Sequence, residues 1–294
     1  MKKSLIIALS ITLSSATEFQ FGTGTFTMEG GFLGLSNSID NDIASFTLGT
    51  RHSNFGEKFF YGYDFNWYDS KDLIQAQKNY NNFASGLSIP QMEYRVKGLD
   101  INIRAGYDVI HKDQDNFLGV GVVVGASFPW IDSSKSAVPN LDFFQSNSDN
   151  MLNGKDMFDD SQTDIMTYKI GPTITFQRAL LSNKLSMYGV ASYAYQTGSL
   201  ENDYAKSDFD VDGTFQEYNI GLYYTPFTTT FKWGFLTLNP RIYLTLGYKY
   251  SKWSVDEVAI NTSGTELSSD ALSAFKQDFD MISSIGYFGI GYSF

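Results

Sequence analysis

The sequence predicts an all-β chain that closes into one transmembrane antiparallel β-barrel of about twelve strands, with ten or fourteen as neighbouring counts. Three observations predict it. Long runs alternate apolar and polar residues with a period of two. The composition is rich in aromatics and poor in charge, with no stretch that could cross a bilayer as a helix. A short basic and then apolar leader marks the chain for export.

Met1-Lys2-Lys3 is basic, Leu5 to Leu13 is apolar with small polar interruptions, and Ser14-Ser15-Ala16 sets small residues before a cut. That is the three-part layout of a secretory signal peptide. A run of about nine apolar residues is too short to cross ~30 Å of hydrocarbon as a helix. Residues 1–16 are therefore read as a cleaved signal, and residues 17–294 as a single barrel domain beginning at Thr17. The chain has no cysteine, which removes lipidation at the cut, a disulfide framework and a thiolate metal site.

Aromatic residues make up 16% of the chain, with 19 Tyr and 25 Phe, and 18% is charged against a typical ~25%. The most apolar segment after the leader, Leu118 to Phe128, is eleven residues long and holds three glycines. A soluble domain would need a large interior to hide so many rings, whereas a membrane barrel turns them outward. The net charge is −11 and becomes two units more negative once Lys2 and Lys3 are removed. Nucleic acid is excluded as a partner, and anionic headgroups are disfavoured, because both need positive patches.

The alternation is clearest in four runs. Phe59, Tyr61, Tyr63, Phe65 and Trp67 share one face, with Gly62, Asp64 and Asn66 on the other. Leu99, Ile101, Ile103, Ala105, Tyr107 and Val109 alternate with Asp100, Asn102, Arg104, Gly106 and Asp108. Leu118 to Phe128 alternates valines with glycines, and Leu236 to Ser251 alternates Leu and Tyr with Arg241, Thr245, Gly247 and Lys249. Such runs match the ~9–11 residues a tilted strand needs to span a bilayer. Charges of both signs in mid-strand suit a wet or paired barrel interior, not the inner face of a soluble sandwich.

Further strands are expected near 25–35, 43–53, 91–97, 165–177, 185–196, 215–225 and 281–294. The sum is eleven, and single-chain bacterial barrels are normally even. A twelfth strand is expected within 129–164. Asn54-Phe55-Gly56-Glu57, Lys97-Gly98-Leu99-Asp100 and Leu181-Ser182-Asn183 have tight-turn chemistry. Long outer loops are expected near 69–88, 129–164, 198–213 and 252–278. In the first of them Asp69 can cap a helix with Leu73, Gln77, Tyr80 and Ala84 on one face.

The chain ends Gly289-Ile290-Gly291-Tyr292-Ser293-Phe294. A glycine followed by alternating aromatics and a terminal aromatic resembles the C-terminal assembly signal of bacterial outer-membrane β-barrel proteins, porin-like members included. The resemblance implies that Gly289, Tyr292 and Phe294 are read by the barrel-assembly machinery, and that the protein sits among the lipids of a Gram-negative outer membrane. Tyr287 stands where that pattern usually has a polar residue.

Inward positions are expected to include Glu29, Arg51 and Lys169, and eight residues are read as pore-lining: Asp64, Glu93, Arg95, Lys97, Arg104, Asp108, Arg241 and Lys249. An ionisable group at membrane depth must face water or a partner. The cluster Glu93, Arg95, Lys97, Arg104 and Asp108 is placed inside by a turn at Lys97–Asp100. His52 and Ser53 are adjacent and so point to opposite faces, and His111 lies in a polar turn. Neither makes a nucleophile–base pair, so no catalytic residue is assigned and an enzyme is not expected. Asp208, Asp210 and Asp212 followed by Gly213 copy the opening of a calcium loop, but Asn219 stands where the bidentate Glu should be. A solvated acidic loop is expected, with a low-affinity Ca2+ site as the alternative and no other cofactor. The leading functional expectation is a porin-like channel for small polar solutes. The alternative is a non-conducting structural or adhesive barrel, with an outer-membrane hydrolase ranked below both.

Overall fold

The computed structural model describes residues 17–292 apart from 33–34, 56–57, 76–77, 81–86, 90–91, 111–115, 136–160, 182–183, 203–206, 228, 234–235, 239–241 and 261–278. Among the described residues ten long strands form the wall. They are β1 (Thr17–Phe32), β2 (Leu35–Phe55), β3 (Phe59–Ser70), β4 (Met92–Asp108) and β5 (Asn116–Lys135). The second half supplies β6 (Ser161–Leu181), β7 (Leu185–Asn202), β8 (Ser207–Tyr224), β9 (Ile242–Ile260) and β10 (Phe279–Tyr292). Every strand pairs antiparallel with its sequence neighbours, and β10 pairs with β1 from Thr17↔Tyr292 to Gly30↔Phe279. The sheet therefore closes without an edge, which is the condition for strands in hydrocarbon, where an unpaired peptide group has no water to turn to.

The strand count corrects the expected twelve to ten. Residues 91–97 and 99–109 are one strand, β4, which pairs without a break along β3 and β5. Gly98 is not a turn glycine. A Cβ built there would come within 2.3 Å of the Tyr68 hydroxyl oxygen and 2.4 Å of its Cζ. Glycine is present because the Tyr68 ring lies across the backbone at that point. The proposed twelfth strand in 129–164 is partly accounted for by longer neighbours: β5 continues to Lys135 and β6 begins at Ser161. The remainder, 136–160, lies outside the described residues.

Other connections differ from expectation as well. The segment expected to be a capped helix is extended where described. Asp69 and Ser70 complete β3, Leu73–Gln75 pairs with the start of β4, and Lys78–Tyr80 pairs with Leu87–Ile89. The edge that β4 presents beyond Asp69 offers ladder hydrogen bonds that a helix could not use. Gln77 and Ala84 lie outside the described residues. The run expected from Leu236 to Ser251 divides: Leu236–Leu238 pairs with Phe231–Trp233, and β9 begins only at Ile242. Pro240 stands between the two, and proline lacks the N–H that a central strand donates.

Burial alternates along each strand, as in β10, where Met281, Ser283, Ile285 and Tyr287 are buried and Gly286, Phe288 and Ile290 are exposed. Tyr61, Phe65, Ile101, Ile103, Val122 and Leu244 fall on the outward face, and Asp64, Asn102 and Arg104 on the inward one. The strands are 12 to 21 residues long, more than the ~9–11 that a bilayer requires. Polarity explains the excess. In the lower and middle barrel the outside is apolar (Phe21, Ile103, Val122, Ile174, Leu246) and the inside polar (Thr47, Asn102, Arg104, Thr173, Lys249). Towards the end that carries the longer connections the pattern inverts. Phe26, Ile43, Val96, Ile165, Phe215 and Trp253 fill the interior there, at 2% exposure or less. On the outside each strand now carries a charge: Glu29, Asp42, Asp69, Lys97, Asp132, Asp164, Glu201, Asp212, Lys252 and Asp280, none of them buried.

Candidate functional site

The polar interior centres on one layer of charges. Asp64 is supplied by β3, Asp100, Asn102 and Arg104 by β4, Lys169 by β6, Glu217 by β8 and Lys249 by β9. Period-two alternation brings each of them inward, because its outward neighbours are apolar or aromatic, apart from Gln216 beside Glu217. The Arg104 guanidinium donates to both Asp64 and Glu217. Lys249 Nζ lies 3.0 Å from Asp64 Oδ2 and 3.6 Å from Glu217 Oε2. Two carboxylates and two cations thus form a closed ring.

A second group sits against it. Lys169 donates to Asp100 and, at 2.9 Å, to Ser127 Oγ, while its Nζ lies 3.6 Å from the centroid of the Phe215 ring. Ser127 donates to Asp100 and accepts a 2.9 Å hydrogen bond from Trp253 Nε1. Asn102 joins the two groups. Its Nδ2 lies 2.8 Å from Asp100, 3.0 Å from Asp64 and 3.0 Å from Glu217. Three carboxylates face three cations, so the layer is neutral, as groups withdrawn from water must be.

These contacts cross the lumen. In the order of the closed sheet, Arg104 on β4 and Glu217 on β8 stand four strands apart in a ring of ten, as do Asp64 on β3 with Lys249 on β9 and Ser127 on β5 with Trp253 on β9. Five strands would be diametrically opposite. Aromatic layers lie on either side of the charges. Above them Phe26 stacks on Tyr68 at 5.4 Å and lies 6.2 Å from Trp253, which in turn lies 5.5 Å from Phe215. Below them Phe60 meets Phe117 edge to face at 5.1 Å, and Tyr188 shares a hydrogen bond with Tyr287, which donates to Asn219 at 2.6 Å. That bond accounts for the aromatic residue at position 287, since its ring packs and its hydroxyl does the work of a polar side chain. Between the charges and this floor lies a cavity of about 30 Å³ bordered by Gln20, Thr47, Thr50, Asn219 and Lys249, room for one or two waters. Beside it Glu18 accepts from Gln20 at 2.8 Å and from Thr245 at 2.6 Å.

Of the residues read as pore-lining, the structure brings Asp64, Arg104 and Lys249 together in the charge layer. Asp108 is inward but at the far end of β4, where it accepts from the backbone N–H of Ile110 at 3.1 Å and of Leu118 at 3.4 Å. Glu93, Arg95 and Lys97 are corrected. With no turn at Gly98 the alternation runs unbroken through β4, so these odd-numbered residues share the outward face with Leu99 and Ile101. There Arg95 pairs with Asp69 at 2.8 Å and Lys97 with Asp132 at 3.1 Å. Glu29 is also outward and exposed. On the same rim Asp280, 2.7 Å away, raises the pKa of Lys252 through its hydrogen bond. Arg241 and the Arg51 side chain lie outside the described residues, as do residues 1–16 and Phe294. Gly289 and Tyr292 end β10 in register with β1.

Asp208, Asp210 and Asp212 belong to β8, paired with Glu201, Ser199 and Thr197 of β7. A strand cannot coil around an ion as a calcium loop does, so the expected loop is corrected to extended wall. Sequence reasoning missed Glu217, although outward Tyr218, Ile220 and Leu222 mark it as inward. Asp100 stands on the polar face of the sequence alternation, but the tight-turn chemistry of Lys97–Asp100 keeps it out of the expected inward set.

No known protein family and no characterised protein matches the sequence. Solved structures do. The outer membrane protease OmpT of Escherichia coli aligns over 95% of this chain and 97% of its own, at 10% identity and a TM-score of 0.51. The translocator domain of the autotransporter NalP from Neisseria meningitidis aligns over 100% and 95%, at 9% identity and 0.36. Ail, the attachment invasion locus protein of Yersinia pestis, aligns over 92% and 98%, at 9% identity and 0.27. At such identity only the fold is shared, and the likeness to OmpT carries it: this chain has the fold of bacterial outer-membrane β-barrels.

Proposed function

We infer that this protein is a non-conducting outer-membrane barrel, a solid scaffold that carries its charged upper wall and outer connections above the lipid surface. The observation that carries the reading is the set of side-chain contacts between strands four apart: Arg104–Glu217, Asp64–Lys249 and Trp253–Ser127. A solute path would have to break a neutral ion-pair layer and then part the aromatic layer above it. An open selectivity pore keeps its charges hydrated, whereas Arg104 and Lys169 are 3% and 2% exposed. The filled lumen thus favours the structural or adhesive alternative over the porin-like channel. The outward apolar band meets lipid, and the leader and terminal aromatic strand serve export and assembly.

Planar-bilayer recording of the purified protein tests this reading. No stepwise conductance above the lipid background is expected at any voltage the membrane tolerates. Reproducible single-channel steps would return the protein to the porin-like reading.

A further inference from the structure

Asp64, Asp100 and Glu217 each present a carboxylate oxygen within 4.8 Å of the others. Three carboxylates so placed are the arrangement that receives a hard cation. The point on which they converge is instead taken by the amide nitrogen of Asn102, at 2.8 to 3.0 Å from all three. Asn102 is fully buried. Counter-charge reaches the carboxylates from three other side chains: Arg104 and Lys249 grip Asp64 and Glu217, and Lys169 grips Asp100. The neutral amide supplies two hydrogens, shared among the three carboxylates, where the ion would supply charge. A divalent ion added to this layer would leave it two units positive.

We propose that Asn102 is the keystone of an electroneutral latch, an amide in place of a cation that holds the carboxylates of β3, β4 and β8 together and so fixes the closed state of the barrel. The inference deepens the closed-lumen reading and rests on the same layer. It places a specific demand on position 102: a side chain that donates and adds no charge. Leucine fits the volume and donates nothing. Aspartate fits the shape, adds a fourth carboxylate to three cations, and turns the layer acidic.

The test is the pH dependence of unfolding by urea in lipid vesicles, followed by the gel shift between folded and heat-unfolded barrel. The charged groups facing position 102 are Asp64, Asp100, Arg104, Lys169, Glu217 and Lys249. In the wild type all are matched, so lowering the pH from about 8 towards about 4, where carboxylates of the unfolded chain begin to take up protons, lowers the unfolding midpoint. In Asn102→Asp the first proton taken up neutralises the surplus charge, so the midpoint rises as the pH falls, opposite in sign to the wild type. Asn102→Leu lowers the midpoint at every pH and keeps the wild-type sign. Asn102→Asp with Glu217→Gln restores three carboxylates to three cations, and its pH slope returns to the wild-type sign.

A wild-type slope in Asn102→Asp overturns the proposal, as does a double variant no closer to wild type than the single. If Asn102→Asp fails to fold at any pH, the double variant decides: its folding supports the latch, and its failure while Asn102→Leu folds overturns it. Conductance in the wild type would refute the closed scaffold without altering the sign of these slopes, so the two readings fail separately.

Discussion

Replacing Gly98 by alanine places a methyl group where the Tyr68 ring already lies. The Cβ would stand 2.3 Å from the Tyr68 hydroxyl oxygen and 2.4 and 2.8 Å from two atoms of its ring, inside the separation that real contacts tolerate. The ring has little freedom to retreat: it is 4% exposed and stacks on Phe26 at 5.4 Å. Overpacking of this kind costs about 1–3 kcal/mol. Alanine in a strand recovers roughly 0.5–1 kcal/mol of backbone entropy, so a net loss of about 1–2 kcal/mol is expected. Tyr68→Ala empties the space. In that background Gly98→Ala should be neutral or stabilising by about 0.5 kcal/mol, which gives a coupling of roughly 2 kcal/mol between the two positions. Urea titration of the four proteins in vesicles measures it, provided the slopes agree. A turn glycine behaves differently, because alanine at a positive φ costs its strain whatever residue 68 is. An equal loss in both backgrounds would therefore refute the packing argument and revive the turn.

Three further outcomes are expected. Val122→Arg, on the outward apolar band, should cost about 2–4 kcal/mol in the same titration, while Asp132→Arg on the charged rim should cost about 0–1 kcal/mol; equal costs would mean that inside and outside, or the height of the rim, are misassigned. Lys169→Met leaves Asp100 buried without its cation and should lose about 3–5 kcal/mol, most of it recovered when Asp100→Leu is added; an additive double variant would show that the pair does not interact. Millimolar Ca2+ or its removal by chelator should leave the thermal unfolding midpoint unchanged, since Asp208, Asp210 and Asp212 lie in extended β8; a calcium-dependent rise would restore the acidic loop.

Sequence periodicity located the strands well where one face was continuously apolar. The alternation of Leu118–Phe128 and of Phe59–Trp67 placed Val122 outward and Asp64 inward, because a slip of one residue would have exchanged both faces. It failed where a residue had two physical meanings. Gly98 reads as a turn in sequence, and only the ring arriving from β3 shows that it makes room. That one reading produced an eleventh strand, turned Glu93, Arg95 and Lys97 inward, and hid Asp100. Asp208, Asp210 and Asp212 failed similarly, since alternation within a strand and a calcium loop both set acids two apart. Closure of the charge layer was beyond any one-dimensional reading. Arg104 and Glu217 are partners through the curvature of a ten-strand ring, 113 positions apart in the chain, and no local pattern encodes that distance.

The exchange of polarity along the wall gives the molecule a waterline. Below it the barrel is folded inside out, as lipid demands; above it, right side out, as water demands, with Phe26, Ile43 and Trp253 serving as the core of what is in effect a soluble domain built on the same ten strands. The two halves cannot slide past each other, so immersion depth becomes a covalent property of the chain. Sinking by one pair of residues would draw a collar of charges into hydrocarbon, and rising by one would bare a ring of Tyr, Val and Ile to water. A bilayer of the wrong thickness must therefore bend to meet this protein, because the strands can neither tilt nor shorten without moving the whole collar at once.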